Sequence, residues 1–392
     1  ANLCNLLYTR TNRQTMLLKR AIEDEVLKYL RPNKVVVLLG PRRVGKTVLI
    51  QQILNRISEP YLLLHGEDQD VRRQLEYRST QRYKNIIGGK SLLIIDEAQK
   101  IPEIGNVLKL MVDTIAGIKI LATGSSAFDL EKFTGEPLTG RKHTFYLFGL
   151  SEKELNQTEN IFEKEANLRN RLVYGNYPEL IHLEDLQERK AYLDELIKSY
   201  LLKDILEFDL IRNSEKILQL LRLIAYQLGS EVSFTELGKQ LGISKNTVER
   251  YLNLLSKVYI IHSVGAWSRN LRKEIVKGKK WYFFDNGIRN ALIGDMKPIE
   301  NRNDVGLLWE NYIISERIKY KQYEKMLVYN YFWRTYDQQE IDWIEDREGK
   351  LHAYEFKWNP YKKAKLPNLF KETYPNSEFE VISRENFLEW VS

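Results

Sequence analysis

The chain has 392 residues, 43% of them hydrophobic and 11% aromatic, more than one compact core takes up, so two or three folded domains are expected. A net charge of +7 is compatible with nucleic acid or another acidic partner and by itself selects neither. The one cysteine, Cys4, excludes an intrachain disulfide, the opening residues carry no apolar core ahead of a small-residue cleavage site, and no run approaches the ~18 apolar residues of a membrane helix; the expectation is a cytoplasmic protein with no membrane partner.

Val35 to Leu39 is an unbroken apolar run, the pattern of a buried parallel strand. Gly40-Pro41-Arg42-Arg43-Val44-Gly45-Lys46-Thr47 follows and fits G-x-x-x-x-G-K-[ST]. After Val48, the residues Leu49, Ile50, Ile53 and Leu54 recur at helical spacing. The two glycines let backbone approach a ligand closely, and the loop N–H groups with the helix N-terminus surround phosphate oxygens. Lys46 reaches the β- and γ-phosphates and Thr47 ligates Mg2+. The expected ligand is therefore ATP with Mg2+, cradled by residues 40 to 48.

A second buried strand, Leu92 to Ile95, ends in Asp96-Glu97. Asp96 suits the magnesium contact, and Glu97 suits orienting or deprotonating the attacking water. The third strand, in "IKILATGSS", delivers Ser125 and Ser126 to the γ-phosphate or the water; capping of a following helix explains them equally well. The order strand–cradle–helix, strand, strand–DE, strand–TGSS resembles the AAA-type P-loop ATPases. "DEAQKIP" narrows the resemblance to the prokaryotic AAA-like ATPases with a conserved C-terminal region of unknown function. In that family "GR" follows the TGSS strand, then "L.P.S..E". The matching stretch here is "LTGRKHTFYLFGLSEKEL", with Gly149 where proline is usual. The resemblance implies a role for Arg141 as a γ-phosphate sensor, or as an arginine finger for a neighbouring subunit in an oligomer; a surface arginine is the plain alternative.

From Ser151 to Arg212 apolar residues recur at helical spacing, with Leu193, Leu196, Ile197, Tyr200, Leu201 and Ile205 on one face, as in a helical lid or connector. Its main turn is "VYGNYPEL", Val173 to Leu180. The family strings "G.YPE" and "KDI" recur here, at Gly175 to Glu179 and Lys203 to Ile205. The next stretch reads as helix-turn-helix. Ser233 and Glu236 form a capping box, Gly242 ends the first helix, and Ser244 caps a second with Val248, Tyr251, Leu252 and Leu255 inward. Lys245, Asn246, Thr247, Glu249 and Arg250 lie outward, a surface suited to double-stranded DNA. A basic β-wing with Arg269, Arg272, Lys273, Lys277, Lys279 and Lys280 against Glu274 is expected to follow.

"EIDWIEDREGKLHAYEFK", residues 340 to 357, reads as a hairpin. With a Glu348-Gly349 loop, Arg347 faces Lys350, Asp342 faces Glu355 and Glu340 faces Lys357. Alternation puts these four charges on one side, and Ile341, Trp343, Tyr354, Phe356 and Trp358 on the other. Opposed carboxylates need a cation, supplied by Lys357 or by Mg2+. D, a hairpin, then E-x-K resembles the PD-(D/E)xK nucleases, though Ile341 stands where the strict motif has proline. The resemblance implies a second Mg2+ site of Glu310, Asp342 and Glu355, with Lys357 beside it. The fold expected for the chain is α/β: an AAA-like P-loop core (1–150), a helical lid or connector (151–212), a winged helix-turn-helix (213–285) and a restriction-endonuclease-like domain (286–392). The functions expected are a DNA-associated ATPase with a nuclease-like domain, or an ATP-gated switch whose nuclease-like domain is inactive.

Overall fold

The computed structural model describes residues 18–125, 138–201, 214–268, 278–335 and 337–392. Cys4, Ser126, the Lys203–Ile205 string and the wing residues Arg269, Arg272, Lys273, Glu274 and Lys277 lie outside them.

The N-terminal part runs α1 (Glu23–Tyr29), β1 (Lys34–Leu39), α2 (Lys46–Leu54), β2 (Tyr61–His65), α3 (Gln69–Glu76), α4 (Thr80–Ile87), β3 (Leu92–Asp96), α5 (Ile104–Thr114), β4 (Lys119–Gly124) and β5 (Lys142–Tyr146). The five strands form one parallel sheet in the order β2-β3-β4-β1-β5. Both faces are covered, which is why β1 and β3 read as unbroken apolar runs. Val36, Leu38 and Ile94 point into one core, while Val35, Val37 and Ile95 point into the other. Parallel crossovers bring the ends of β1, β3 and β4 to one rim, where the phosphate loop and Asp96 meet.

The connector contains α6 (Glu152–Leu155), α7 (Ile161–Tyr174), α8 (Leu186–Glu195) and a π-helical turn, Leu196–Leu201. Leu193, Leu196 and Ile197 are buried, as their spacing requires. The "GNYPE" string docks on the C-terminal part. Asn176 N–H donates to Asp285 Oδ2 at 2.7 Å, and a Cβ on Gly175 would meet Asp285 Oδ1 at 2.0 Å.

Helix α9 (Ser214–Tyr226) leads to α10 (Phe234–Leu241) and α11 (Lys245–Lys257). Gly242 takes a left-handed conformation between them (φ 66°). Ser244 caps α11 through Thr247 N–H at 3.1 Å. Ser233 accepts from Glu236 N–H at 3.3 Å; this is the forward half of the expected capping box. Val248, Tyr251, Leu252 and Leu255 are buried, and Lys245, Asn246, Glu249 and Arg250 are exposed.

The strands expected as a wing, β6 (Ile261–Ala266) and β7 (Lys279–Phe283), belong to the C-terminal sheet. That sheet is mixed, in the order β11-β10-β9-β8-β6-β7, with β8 (Tyr329–Arg334), β9 (Glu340–Arg347), β10 (Lys350–Phe356) and β11 (Glu378–Ile382). One sheet therefore crosses the boundary expected at residue 285. The helices α12 (Asn286–Ile293), α13 (Val305–Tyr323), α14 (Asn368–Thr373) and α15 (Phe387–Val391) complete this part.

The hairpin turn is the two-residue one. Lys350 pairs with Arg347, and Glu348 and Gly349 both have positive φ (53° and 85°), as a type I′ turn demands. Strict alternation fails at the far end. Tyr331 pairs with Ile344 and Trp333 with Ile341, so two steps along β8 match three along β9. The extra residue is a bulge within Ile341–Ile344. It carries Ile341 away from Trp343 into a second core with Trp333, Ile344, Ala353 and Phe370, while Trp343, Tyr354 and Phe356 join the main core. Both faces of the hairpin are thus packed, where one charged face was expected.

Candidate nucleotide site and a C-terminal charged cluster

Gly40 must be glycine, because a Cβ there would lie 1.9 Å from the Leu147 carbonyl oxygen. Gly45 has φ 93°, a conformation that disfavours side chains, and begins α2. Between them Pro41 and Arg42 are half-buried, Arg43 is exposed in the left-handed region (φ 64°), and Val44 is buried. Val48 projects from the first turn of α2, 48% exposed. The Lys46 ammonium spans the loop, donating to the carbonyls of Gly40 and Pro41 at 2.9 Å each.

Thr47 Oγ1 donates to Asp96 Oδ2 at 2.9 Å. This contact joins the two motifs that lie fifty residues apart in sequence. A magnesium ion arriving with a triphosphate would be held by Thr47 and Asp96, whose oxygens are the hard donors it prefers. Asp96 Oδ1 accepts from Thr123 Oγ1 and from Glu97 N–H at 3.2 Å. The Glu97 backbone is left-handed (φ 50°). Its carboxylate accepts from Gln99 Nε2 at 2.5 Å, and the same amide donates to Ser125 Oγ at 3.0 Å. Ser125 is thus a fixed point for Gln99. Ser126 is outside the described residues.

Arg141 is not part of this site in its own chain. Lys142 pairs with Val35 at the start of β1, whereas the phosphate loop follows the end of β1. The guanidinium pairs with Asp113 at 2.6 Å, with both side chains more than a third exposed. The plain surface reading holds here, and the cis sensor role implied by the family strings does not.

In the C-terminal sheet, Glu310 of α13 lies near Asp342, Glu355 and Lys357 of the hairpin, together with Lys280 and Tyr282 of β7. Glu310 Oε1 accepts from the Tyr282 hydroxyl at 2.7 Å and lies 3.8 Å from Lys280 Nζ. Lys280 also pairs with Glu340. The ladder ends at Trp343, and Asp342 Oδ2 accepts from Phe356 N–H at 2.9 Å. Lys357 pairs with Glu355 at 2.6 Å. Burial, then the Asp342 charge, raise Glu310 to about 8 against the pull of Lys280. Burial, then Asp342, raise Glu355 to about 6 against Lys357. Burial raises Asp342, opposed by the Phe356 amide. Burial disfavours charge on Lys280, but Glu310 and Glu340 overcome it and raise its pKa.

Glu310, Asp342 and Glu355, the residues expected at a second Mg2+ site, share this cluster with two lysines. Among the described residues no three acidic or histidine side chains converge to hold a metal ion. The fully buried positive charge among them is Lys280, only 2% exposed, while Lys357 is the half-buried one beside Glu355. This corrects the expected place of Lys280 on a DNA-facing wing. Strand β7 is the outer strand of this sheet, and its alternate residues, Lys280 and Tyr282, point to Glu310 of α13.

Residues 32–156, which contain the phosphate loop, Asp96 and Glu97, match the family model described as an AAA domain. This part of the chain is an AAA-like P-loop ATPase domain. This AAA-like protein also matches two domains of unknown function, DUF8612 over residues 165–298 and DUF4143 over residues 305–387. An uncharacterized protein of Mycobacterium tuberculosis is 26% identical over 346 residues, covering 86% of this chain and 74% of its own length. Another, of Methanocaldococcus jannaschii, is 24% identical over 408 residues, with 95% and 90% covered. Among solved structures, the Walker-type ATPase Paby2304 of Pyrococcus abyssi is 17% identical, with 72% of this chain and 98% of that one covered and a TM-score of 0.49. RuvB of Thermotoga maritima is 16% identical, with 68% and 88% covered and a TM-score of 0.32.

Three residues of this AAA-like protein escaped the sequence reading. Gln99 was legible only as part of "DEAQ", Thr123 as part of "ATGSS", and Lys280 as one cation in a basic run. Thr123 and Lys280 act through partners distant in sequence, and Gln99 links its near neighbour Glu97 to the distant Ser125, which local spacing does not encode.

Proposed function

We propose that the chain is an Mg2+-dependent, ATP-hydrolysing switch. The observation that carries the reading is the 2.9 Å contact of Thr47 with Asp96, beside Glu97 and under a loop spanned by Lys46. Lys46 would bind the β- and γ-phosphates, Thr47 and Asp96 the magnesium, and Glu97 would take a proton from the attacking water. Catalysis here is positioning plus charge stabilisation, and those are the groups it needs. Steady-state phosphate release by the full chain tests it. Lys46→Ala should abolish nucleotide binding, and Glu97→Gln should retain binding while losing turnover. Equal turnover in all three proteins would refute the assignment.

We also propose that the C-terminal part works without cutting. Lys280 already pairs with Glu340 and lies against Glu310 and Asp342, acids that a nuclease would spend on metal, which favours an interaction module over a hydrolytic one. The exposed Lys245 and Arg250 of α11, with the net charge of +7, support contact with double-stranded DNA. DNA affinity falling steeply with salt, and falling further in Lys245→Ala/Arg250→Ala, is the expected result. Mg2+-dependent nicking by wild type that disappears in Asp342→Ala would restore the nuclease reading.

A further inference from the structure

A cavity of about 670 Å3 lies between the two sheets. One wall is β5, the outer strand of the first sheet, whose outward backbone groups have no neighbouring strand among the described residues. The opposite wall comes from β6, from α13 and from the turn leading to β8, and α1 closes one end. The lining is basic. It includes Lys142, His143, Lys321 and Lys325, and its only carboxylate, Glu25, is taken by Lys325 at 2.5 Å and Lys28 at 3.0 Å. Lys325 further lies over the Tyr29 ring at 4.1 Å, and Lys321 is held by the Val328 carbonyl at 2.8 Å.

Two polar groups in this lining are left over. The Lys142 ammonium has no hydrogen bond or ion pair among the described residues, and burial alone lowers its pKa. His143 beside it feels Lys34, Arg31 and Lys325, so this end of the cavity is positive. His262 is 9% exposed, and its Nε2 is buried with no partner among the described residues. Its ring is fixed against Tyr282 and Phe284, and burial pushes its pKa down to about 3. A neutral imidazole with one unsatisfied nitrogen offers a single hydrogen bond, which suits a ring heteroatom. An unpaired ammonium suits a phosphate. Rings of Tyr29, Phe145 and Phe284 also line the space.

We propose that this cavity is a second ligand site, separate from the phosphate loop, for a ring-bearing phosphate ester of nucleoside-monophosphate size. Its phosphate sits at Lys142 and its ring edge at His262. Strand β5 runs from the cavity to Leu147, whose N–H donates to Leu39 O at 2.7 Å and whose carbonyl abuts Gly40. An occupant therefore presses on the strand that underlies the phosphate loop. Binding at this site does not depend on whether the loop hydrolyses ATP.

The test uses the full chain carrying Lys46→Ala, which silences the phosphate loop, in equilibrium dialysis with AMP and, separately, inorganic phosphate. Saturable one-site uptake of AMP with Kd below about 1 mM is expected. Lys142→Ala and His262→Phe, the latter keeping the ring stacking, should each weaken it about tenfold. Circular dichroism melting checks that the variants fold. If His262→Phe melts early, Lys142→Ala decides alone, because it removes a half-buried side chain at a strand end. No saturable AMP uptake, uptake indifferent to the substitutions in folded protein, or phosphate bound as tightly as AMP would overturn the proposal.

Discussion

Replacing Lys280 by methionine removes the buried one of the two cations of the C-terminal cluster, the one beside Glu310, while keeping its shape. At 3.8 Å and an effective dielectric of about 20, its attraction for an ionised Glu310 is about 4 kcal/mol. Most of that is offset by the cost of burying the ammonium, which methionine does not incur. The sign then depends on pH. Glu310 is raised to about 8, so below that pH the folded protein keeps it protonated and the lysine has little charge to satisfy there. Stability of the wild type falls with pH between the ordinary carboxyl range and about 8, because the folded state binds the extra proton. In Lys280→Met the proton is held to higher pH, so the fall continues. The variant should lose a further ~1.4 kcal/mol relative to wild type for each pH unit above 8, up to the ~4 kcal/mol ceiling. All seven tryptophans lie at or beyond Trp267, so urea unfolding followed by their fluorescence reports this part of the chain. Mg2+ should also stabilise Lys280→Met and leave the lysine-bearing protein unchanged, both in a Lys46→Ala background. Parallel stability profiles from pH 7 to 10, together with equal metal responses, would refute the placement of Lys280 as the counter-ion of Glu310.

Gln99→Ala should lower kcat about tenfold with ADP affinity unchanged, since it frees the Glu97 carboxylate without touching the phosphate loop; hydrolysis rates against ADP titrations decide it. Gly40→Ala drives a Cβ to 1.9 Å from the Leu147 carbonyl, so nucleotide affinity by calorimetry should fall by about 100-fold or more. Glu345→Gln breaks a fully buried carboxylate from Arg317 at 2.8 and 2.9 Å and should cost about 3 kcal/mol near neutral pH in denaturant unfolding. Burial opposes the charge of Glu345, but Arg317 and Arg347 prevail and hold it at about 2. Its stabilisation is therefore present above the unfolded pKa of ~4.3 and disappears as pH falls toward 2, so the acid limb of the variant's stability curve should be flatter.

The first sheet was legible because its signals are local. A strand buried on both faces must be apolar throughout, and a loop that receives phosphate must place Gly40, Gly45, Lys46 and Thr47 at fixed offsets. The hairpin turn was legible for a similar reason, since Glu348-Gly349 sets the pairing of Arg347 with Lys350 by length alone. What alternation misplaced was Ile341, because one extra residue in β9 is invisible to a period of two. The role of Lys280 was hidden by composition: a lysine in a basic run reads as solvated, and only the pairing of β6 with both β7 and β8 carries it inward. Arg141 failed through direction, because a string match fixes its neighbours in sequence and not which end of a parallel strand it occupies.

The two halves are joined at the phosphate loop itself. Arg20, 5% exposed, donates to Val44 O at 2.7 Å, Phe148 O at 2.8 Å and Glu154 Oε1 at 2.9 Å. Glu154 closes the capping box of α6, and the neighbouring Glu152 N–H donates to Glu316 Oε2 of α13 at 2.8 Å. Helix α13 also carries Glu310. Arginine suits this position because its planar fork serves three acceptors at once, where an ammonium serves them less directionally. Removing any one acceptor would leave part of a buried charge unsatisfied, so displacement of Val44 is costly unless α6 follows. A loop that reshapes around a triphosphate therefore has a short, stiff route to the helix that organises the C-terminal charges. That route gives the switch reading a physical basis that needs no chemistry in the C-terminal sheet.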